Sequence, residues 1–560
     1  MKHTKRIVTT ALAALMAVGT AGSLVACGGK KVANDADTLE IYVANFGYGY
    51  DWVNSAIELF KKQDWVQEKY PNLNIPKIKY NSERSFTTDR VLAGANANTI
   101  DLFFSCATSA SAYFTNDSSG KSYFEDLTDL YNTEVPGEGV LYKDKMIDEY
   151  NEEAYVEKLD GSYAYYSVPW VNGYFGILYN KDLVESTLGA DYELPKTTEE
   201  FAQMAEDIKE KEKVPFISAS NVNYWVDNMR TWWIQYEGFD AEQRYWEGVN
   251  VLGNRTWENI KQTGRLRSLE VIEQLIGHKS GNNHSYVNTL EFTQAQARFL
   301  LGEAFIMPNG DWFENEMRAT EAENPYDYDI RFMKTPIVSA VVEKLSFYTE
   351  GKDVSFNTLD TAKKKAYDEK LSFLVGCVDE GKDEATTIAD FATAGYGALT
   401  SADYKKVKEA RSVQMKVFNH EANIPSYATA KAAAKDFLLF LATDEACEDF
   451  ARVTGGVSSP FEYDMQTKAP DLYNSISNLH KSRLEVTAGG RNIRSHITYR
   501  LAYLGGLTTI HSASSVELLF TAKTAEDRMS AKQIYEGDIK YFEKDNGANW
   551  ISILVKAGYQ

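Results

Sequence analysis

The chain has 560 residues, 44% hydrophobic and 25% charged, with a formal net charge of −21, a pI near 5.0 and a mean hydropathy of −0.39. One hydrophobic core stops growing at roughly 250–300 residues, so at least two domains are expected. The negative charge, with no basic block to reverse it locally, excludes nucleic acid as a partner, and beyond the amino terminus no run of about eighteen uncharged apolar residues is available to cross a bilayer.

Lys2, Lys5 and Arg6 precede an apolar run over residues 7–18, and Leu24-Val25-Ala26-Cys27 is followed by Gly28-Gly29. The run is too short to span a bilayer and stay, and small residues lead up to the cysteine. This segment resembles a bacterial lipoprotein signal. The resemblance implies a signal peptide at 1–26, lipid on the Cys27 sulfur, and a protein held by acyl chains alone on the extracellular face of the cytoplasmic membrane, each buried methylene contributing about 0.8 kcal/mol. An ordinary secretory signal is the alternative, and both export the chain. Residues 27–37 read as a small, polar tether. Cys106, Cys377 and Cys447 are too few and too scattered for a disulfide framework, so stability must come from packing.

Folding is expected to begin at Thr38. Leu39, Ile41 and Val43 alternate with polar or small neighbours as in a strand, and Trp52, Val53, Ala56, Ile57, Leu59 and Phe60 fall on one helical face. Between them lies Phe46-Gly47-Tyr48-Gly49-Tyr50-Asp51, placed where open α/β sheets present ligand loops beyond their strand ends, with glycines that permit close backbone approach. Residues 75–80 read as a second strand, the surroundings of Val91 as helix, and 100–104 as a nearly all-apolar strand, the grammar of a parallel sheet covered on both faces. Ser105 and Thr108 follow it, either as polar ligand partners or as turn residues.

Pro195 precedes Thr197-Thr198-Glu199-Glu200, which reads as a capping box from Thr197 to Glu200 ahead of Phe201, Met204, Ala205 and Ile208 at helical spacing. Trp225, Met229, Trp232 and Tyr236 make a stripe of the same period, which assigns Trp232 and Tyr236 to a core and leaves Tyr224 and Trp225, nearer the preceding loop, as ligand candidates. Ala434, Phe437, Leu438 and Leu441 share a helical face, and a further helix through Phe450 ends at Gly455-Gly456.

Four segments then resemble, in order, the extracellular solute-binding proteins of ABC importers, the carbohydrate-type family that includes maltose-binding protein. They are Ile100-Asp101-Leu102-Phe103-Phe104 with Phe124-Glu125-Asp126-Leu127; Val168-Pro169-Trp170 through Gly176-Ile177-Leu178-Tyr179-Asn180; Gly302-Glu303-Ala304-Phe305 to Gly310-Asp311-Trp312; and residues 430–445. The stretch 338–425 is longer than the family pattern. The resemblance implies an α/β, two-lobed periplasmic-binding-protein-like fold, each lobe a mostly parallel sheet flanked by helices. Three crossings are implied near 171–176, 334–336 and 441–444, giving lobe 1 as 38–172 plus 336–442 and lobe 2 as 173–335 plus 443–560.

It further implies a cleft that closes on a sugar, whose C–H faces suit aromatic rings and whose hydroxyls suit convergent polar groups. Tyr48, Tyr50 and Trp52 are candidates in the first loop, although Trp52 equally suits the buried face of its helix. Trp170 precedes the first implied crossing and Asn172 lies within it. Gly310-Asp311-Trp312 matches a Gly-x-Trp turn whose tryptophan stacks on sugar in the family, with Asp311 where a proline is common. The implied function is capture of a carbohydrate, an oligosaccharide, for delivery unaltered to an ABC transporter permease, by a monomer with neither cofactor nor metal.

Two alternatives belong to other classes. A secreted glycoside hydrolase would draw a carboxylate pair from the 80 acidic residues, and a polyamine- or peptide-binding protein would use Asp51 and Asp311 among the rings. His-Glu-x-x-His and Gly-x-Ser-x-Gly are absent, and the seven histidines never group at metal-ligand spacing. Gly47-Tyr48-Gly49 lacks a third glycine, with Trp52 in its place, and Gly120-Lys121-Ser122 has Thr115 where a phosphate loop needs glycine. No nucleotide site is expected.

Overall fold

A computed structural model describes residues 36–559 apart from 84, 96–97, 107–121, 158–160, 220–223, 288, 324–327, 352, 418–419, 508–517 and 520–527. Cys27 and Thr108 therefore lie outside the described residues. The chain forms two compact units: Met1–Met146, Ala164–Trp170 and Asn419–Thr454 make the first, and Ile147–Tyr163, Val171–Phe418 and Gly455–Gln560 the second.

The first unit is built on a five-stranded sheet in the order Lys79–Asn81, Ile41–Ala44, Leu102–Ser105, Glu421–Asn423, Val168–Pro169. Ile41–Ala44 pairs parallel with both neighbours, and every residue of it and of Leu102–Ser105 is buried. Glu421–Asn423 runs antiparallel to the strands on either side. Trp52, Val53, Ala56, Ile57 and Phe60 form the buried stripe of helix Asp51–Phe60, which packs on helices Lys431–Phe440 and Asp444–Thr454 through Phe60–Phe437 and Trp52–Phe450 ring contacts of 5.2 and 5.1 Å. Asp101 ties sheet to helix, since its carboxylate accepts the N–H groups of Glu40 (3.1 Å), Thr429 (2.8 Å) and Ala430 (3.2 Å). Burial raises that carboxyl above its usual range, and the three donors oppose the rise.

In the second unit the long strand Tyr174–Asn180, buried throughout, takes antiparallel partners on both edges: Ile306–Gly310 on one, and Ile330–Met333 and Val413–Lys416 on the other. Parallel pairing continues between Val413–Lys416 and Arg491–Asn492 and at Phe216 beside Ile306. This sheet is mixed where a mostly parallel one is expected from the resemblance. Trp225, Trp232 and Tyr236 of helix Trp225–Glu237 lie in one apolar cluster with Phe201, Ile272, Leu371, Leu374, Val375 and Val407. The Trp232 indole N–H donates to the Pro336 carbonyl at 3.1 Å.

The units divide the chain differently from the boundaries implied by the resemblance. Residues 336–418 belong to the second unit, because helices Thr361–Asp379 and Ser401–Ser412 bury their apolar faces in the Trp225–Trp232 cluster. Residues 443–454 belong to the first, because Phe450 packs on Trp52 and Asp449 accepts a hydrogen bond from Ser55 at 3.0 Å.

The capping box is present as read: the Thr197 hydroxyl accepts from Glu200 N (3.2 Å) and the Glu200 carboxylate from Thr197 N (3.3 Å). The same hydroxyl donates to the Asp368 carboxyl at 2.7 Å, a group that burial pushes up to about 7. Thr197→Ala is expected to lower stability by about 1–2 kcal/mol, with Thr197→Ser retaining most of it, read as shifts in the denaturant midpoint.

Candidate functional site

Each unit carries an aromatic cluster that contains residues singled out above, with His420 added in the first and Phe175 in the second. In the first, the loop after Ile41–Ala44 turns through Gly47 and Gly49, both at positive φ (42° and 69°), where a side chain would be strained. The turn directs Tyr48 inward. Its ring meets Trp170 edge-on at 6.0 Å and His420 at 5.6 Å, and His420 lies 5.0 Å from Trp170. Trp170 stacks on Trp52 at 5.0 Å with an interplanar angle of 19°, and its indole N–H donates to the Ser105 carbonyl at 3.1 Å.

Trp52 is the deepest ring, 2% exposed among Phe104, Phe450 and Trp170, and its indole N–H is buried without a partner among the described residues. It serves as the floor on which Trp170 rests. Ser105 is buried, with its hydroxyl donating to Thr87 at 2.7 Å. Tyr50 stacks on exposed Tyr80 at 4.0 Å.

Glu421 and His420 were not singled out in the sequence. Glu421 stands in the sheet opposite Ser105 on one side and Pro169 on the other, and Trp170 N donates to the His420 carbonyl at 3.2 Å. Burial pushes the Glu421 carboxyl up to about 7. The pair falls at the end of the stretch that is longer than the family pattern, where no motif marks it; a short strand Glu421–Asn423 ahead of the 430–441 helix is the signal available in retrospect.

In the second unit, Phe175, Tyr224 and Trp312 converge: Phe175–Tyr224 at 5.2 Å, Tyr224–Trp312 at 5.7 Å and Phe175–Trp312 at 6.2 Å between ring centroids. Tyr224 is half-buried at the start of helix Trp225–Glu237, and Trp312 retains 9% exposure. Trp312 folds back over the end of strand Ile306–Gly310 so closely that a Cβ on Gly310 would sit 1.9 Å from its ring. The glycine of the Gly-x-Trp turn is thus dictated by the tryptophan. Phe175 escaped the sequence reading because a residue directly ahead of Gly176, in a strand buried throughout, reads as core.

Asp311 faces away from the rings. Its carboxylate accepts the Tyr174 N–H at 3.1 Å and lies 3.5 Å from Arg483 Nε, while Asp311 N donates to the Tyr174 carbonyl at 3.0 Å. Arg483 also donates to the Asn172 carbonyl, and the Asn172 side-chain oxygen accepts from the Tyr150 hydroxyl at 3.1 Å. Asp311 and Asn172 therefore hold the frame behind Trp312. Trp225 is fully buried, stacked at 6.4 Å on Trp232 and edge-on to Phe216 at 5.4 Å, within the helical core. Among the described residues no group of three or more His, Cys, Asp or Glu side chains is placed to hold a metal ion, and no helix is long and apolar enough to cross a membrane.

The sequence profile of the bacterial extracellular solute-binding proteins matches residues 76–364. No curated protein matches the sequence. Among solved structures, one from work on xylan utilization by the thermophilic bacterium Caldanaerobius polysaccharolyticus aligns at 14% identity over 90% of this chain and 100% of its own, with a TM-score of 0.57. Maltose-bound MalE3 of T. maritima aligns at 14% identity over 90% and 99%, TM-score 0.54, and a chitin oligosaccharide binding protein at 14% over 91% and 98%, TM-score 0.54. At such identities the likeness is one of fold.

Glu421 makes the fold sensitive to pH. The folded carboxyl gives up its proton near 7 and the unfolded one in the ordinary carboxylate range, so stability falls as pH rises between those values and levels off above. Glu421→Gln is expected to match the parent at pH 4 and to exceed it by about 1–3 kcal/mol at pH 8, measured by denaturant unfolding at the two pH values.

Proposed function

We propose that this chain, which belongs to the bacterial extracellular solute-binding protein family, captures a carbohydrate, an oligosaccharide, and delivers it unaltered to the permease of an ABC importer. The observation that carries this reading is the Trp312 ring, laid over Gly310 and flanked by Phe175 and Tyr224 at the end of a central strand. Convergent rings, one of them a half-buried tyrosine, suit the C–H faces and hydroxyl edge of a sugar. The carbohydrates with which the structural neighbours are associated, maltose, xylan and chitin oligosaccharide, support the same class.

The ligand contacts we assign are Trp312 and Tyr224, with Tyr48, Tyr50, Ser105 and Trp170 as further candidates; Trp52, Trp225, Asn172 and Asp311 support them. Binding without hydrolysis fits the state of Asp311, whose carboxylate is already engaged by Arg483 and Tyr174 N and so is not free to act as nucleophile or base. The same engagement disfavours Asp311 as a polyamine ligand. We further propose that Cys27 carries the lipid, that the protein works as a monomer on the outer face of the cytoplasmic membrane, and that neither cofactor nor metal takes part. With about 0.3 kcal/mol per heavy atom, a disaccharide of roughly 23 such atoms gives on the order of 7 kcal/mol, a low-micromolar affinity.

A thermal-shift screen against neutral glycans identifies the ligand, since a bound sugar stabilises the fold. With that ligand, Trp312→Ala is expected to weaken binding at least tenfold, about 1.4 kcal/mol or more, without loss of the far-ultraviolet circular dichroism spectrum. Gly310→Ala should do the same by displacing the ring. Unchanged affinity in both variants removes the ring from the site, and cleavage of the sugar on incubation overturns the reading.

A further inference from the structure

We propose that the second unit carries an additional binding site, for a saccharide bearing an acidic group, in a groove that shares no lining residue with the Phe175, Tyr224 and Trp312 cluster. The groove encloses about 550 Å³, within the range of small-molecule sites. Arg255, Arg494 and Arg500 line it. Arg255 donates to the Glu247 carbonyl at 3.0 Å and Arg494 to the Glu152 carbonyl at 3.3 Å. Among the described residues, none of the three forms an ion pair with a carboxylate.

Arg255 is exposed and Arg494 half-buried, but Arg500 is buried, and the unit's other buried arginines have carboxylate partners. Arg230 pairs with Glu242, Arg265 with Asp538, Arg267 with Glu343 and Arg411 with Asp379. Arg500 is 8% exposed, yet its Nε and that of Arg494 are buried without a partner among the described residues, as is the Tyr499 hydroxyl beside them. A buried guanidinium without an ion-pair partner, as Arg500 is among the described residues, is costly, and a ligand anion would offset that cost.

The three guanidiniums are also held by rings. Arg255 and Arg500 lie 3.4 and 4.8 Å from the centroid of Tyr559, and Arg494 lies 5.2 Å from that of Tyr499. A guanidinium stacked on a ring keeps its N–H edge for bidentate recognition of a planar anion such as a carboxylate.

Tyr155 and Tyr163 decide for a sugar over a bare anion. They stack on each other at 5.1 Å, are 42% and 50% exposed, and line the groove together with the arginines. Glu152, Glu157 and Glu247 also line the groove, where a carboxylate can accept hydrogen bonds from sugar hydroxyls, which a bare anion does not offer. Cations, acceptors and ring faces in one groove match the acid group, hydroxyls and C–H faces of an acidic saccharide.

The test is calorimetric titration of the purified protein with a galacturonate trisaccharide, a sulfated galactose trisaccharide, the uncharged galactose trisaccharide and inorganic sulfate. At least one acidic trisaccharide is expected to bind ten times more tightly than the neutral sugar and than sulfate alone, with affinity falling as salt is added; which of the two wins separates carboxylate from sulfate as the acid group. Arg255→Gln with Arg500→Gln should reduce that affinity at least tenfold, and Tyr155→Ala with Tyr163→Ala, at exposed positions whose loss does not open the core, at least threefold. Trp312→Ala should leave it unchanged. Should the arginine variant fail to fold, the tyrosine variant decides alone. The proposal is overturned if neither acidic trisaccharide binds, if the binding survives these substitutions or is lost with Trp312, or if sulfate alone binds as tightly. Because the Trp312 arm is read with the same titrant, failure here is distinct from failure of the neutral-sugar reading.

Discussion

The second unit depends on one buried guanidinium. Arg483, 4% exposed in its side chain, joins three segments that are remote in sequence: it donates to the Ser458 hydroxyl at 2.8 Å and to the Asn172 carbonyl, and lies at ion-pair distance, 3.5 Å, from the fully buried Asp311 carboxylate. Asp311 passes the constraint on by accepting the Tyr174 N–H. Neither charge is tolerable alone in such a place, and the pair, with the hydrogen bonds of Arg483 to Ser458 and Asn172 and of Asp311 to Tyr174, ties the segments around it together. The Gly310 turn and the Trp312 ring are set by that arrangement. The acid at the middle of the Gly-x-Trp turn, where a proline would fix φ by covalent means, fixes the same turn through a salt bridge and a backbone pair.

Burial governs the remaining charges near the candidate residues. It pushes the Glu421 carboxyl in the first unit up to about 7, and it holds His480, beside Arg483 in the second, down to about 3, with the positive charge of Arg483 adding to the effect. Near neutral pH, His480 is therefore uncharged and Glu421 is partly so. Ring faces set among weakly charged groups discriminate by shape and hydrogen bonding rather than by Coulomb attraction, which is what recognition of an uncharged sugar requires.

Those parts of the fold that rest on local periodicity were legible in the sequence. The stripe Trp52, Val53, Ala56, Ile57 and Phe60, the Thr197–Glu200 capping box and the core placement of Trp232 and Tyr236 all depend on spacings of one to four residues, and the structure has them as read. The unit boundaries were not legible, because which core receives helix Thr361–Asp379 or Asp444–Thr454 depends on complementarity between surfaces far apart in sequence. The site divides in the same way. Trp312 and Tyr224 were visible as motif and loop residues, whereas Phe175 was hidden by its strand, Glu421 by the stretch without a matching pattern, and the inward turn of Asp311 by a partner, Arg483, that lies 172 positions away in number.

The arginine groove was the least legible feature, and the reason is physical. A basic patch announces itself in sequence when its charges are contiguous, but Arg255, Arg494 and Arg500 are brought together by folding, in a chain whose net charge of −21 conceals them. The contrast with the Trp312 cluster then follows from how each guanidinium is neutralised. Arg483 spends its charge inside the protein on Asp311, which leaves the rings in front of it for a neutral ligand. Arg255 and Arg500 rest on the face of Tyr559, a contact that orients a cation without neutralising it, and their charge remains available to a ligand. The two aromatic surfaces of the unit thus differ in how their arginines are compensated, Arg483 by a carboxylate and the groove arginines by rings and backbone carbonyls.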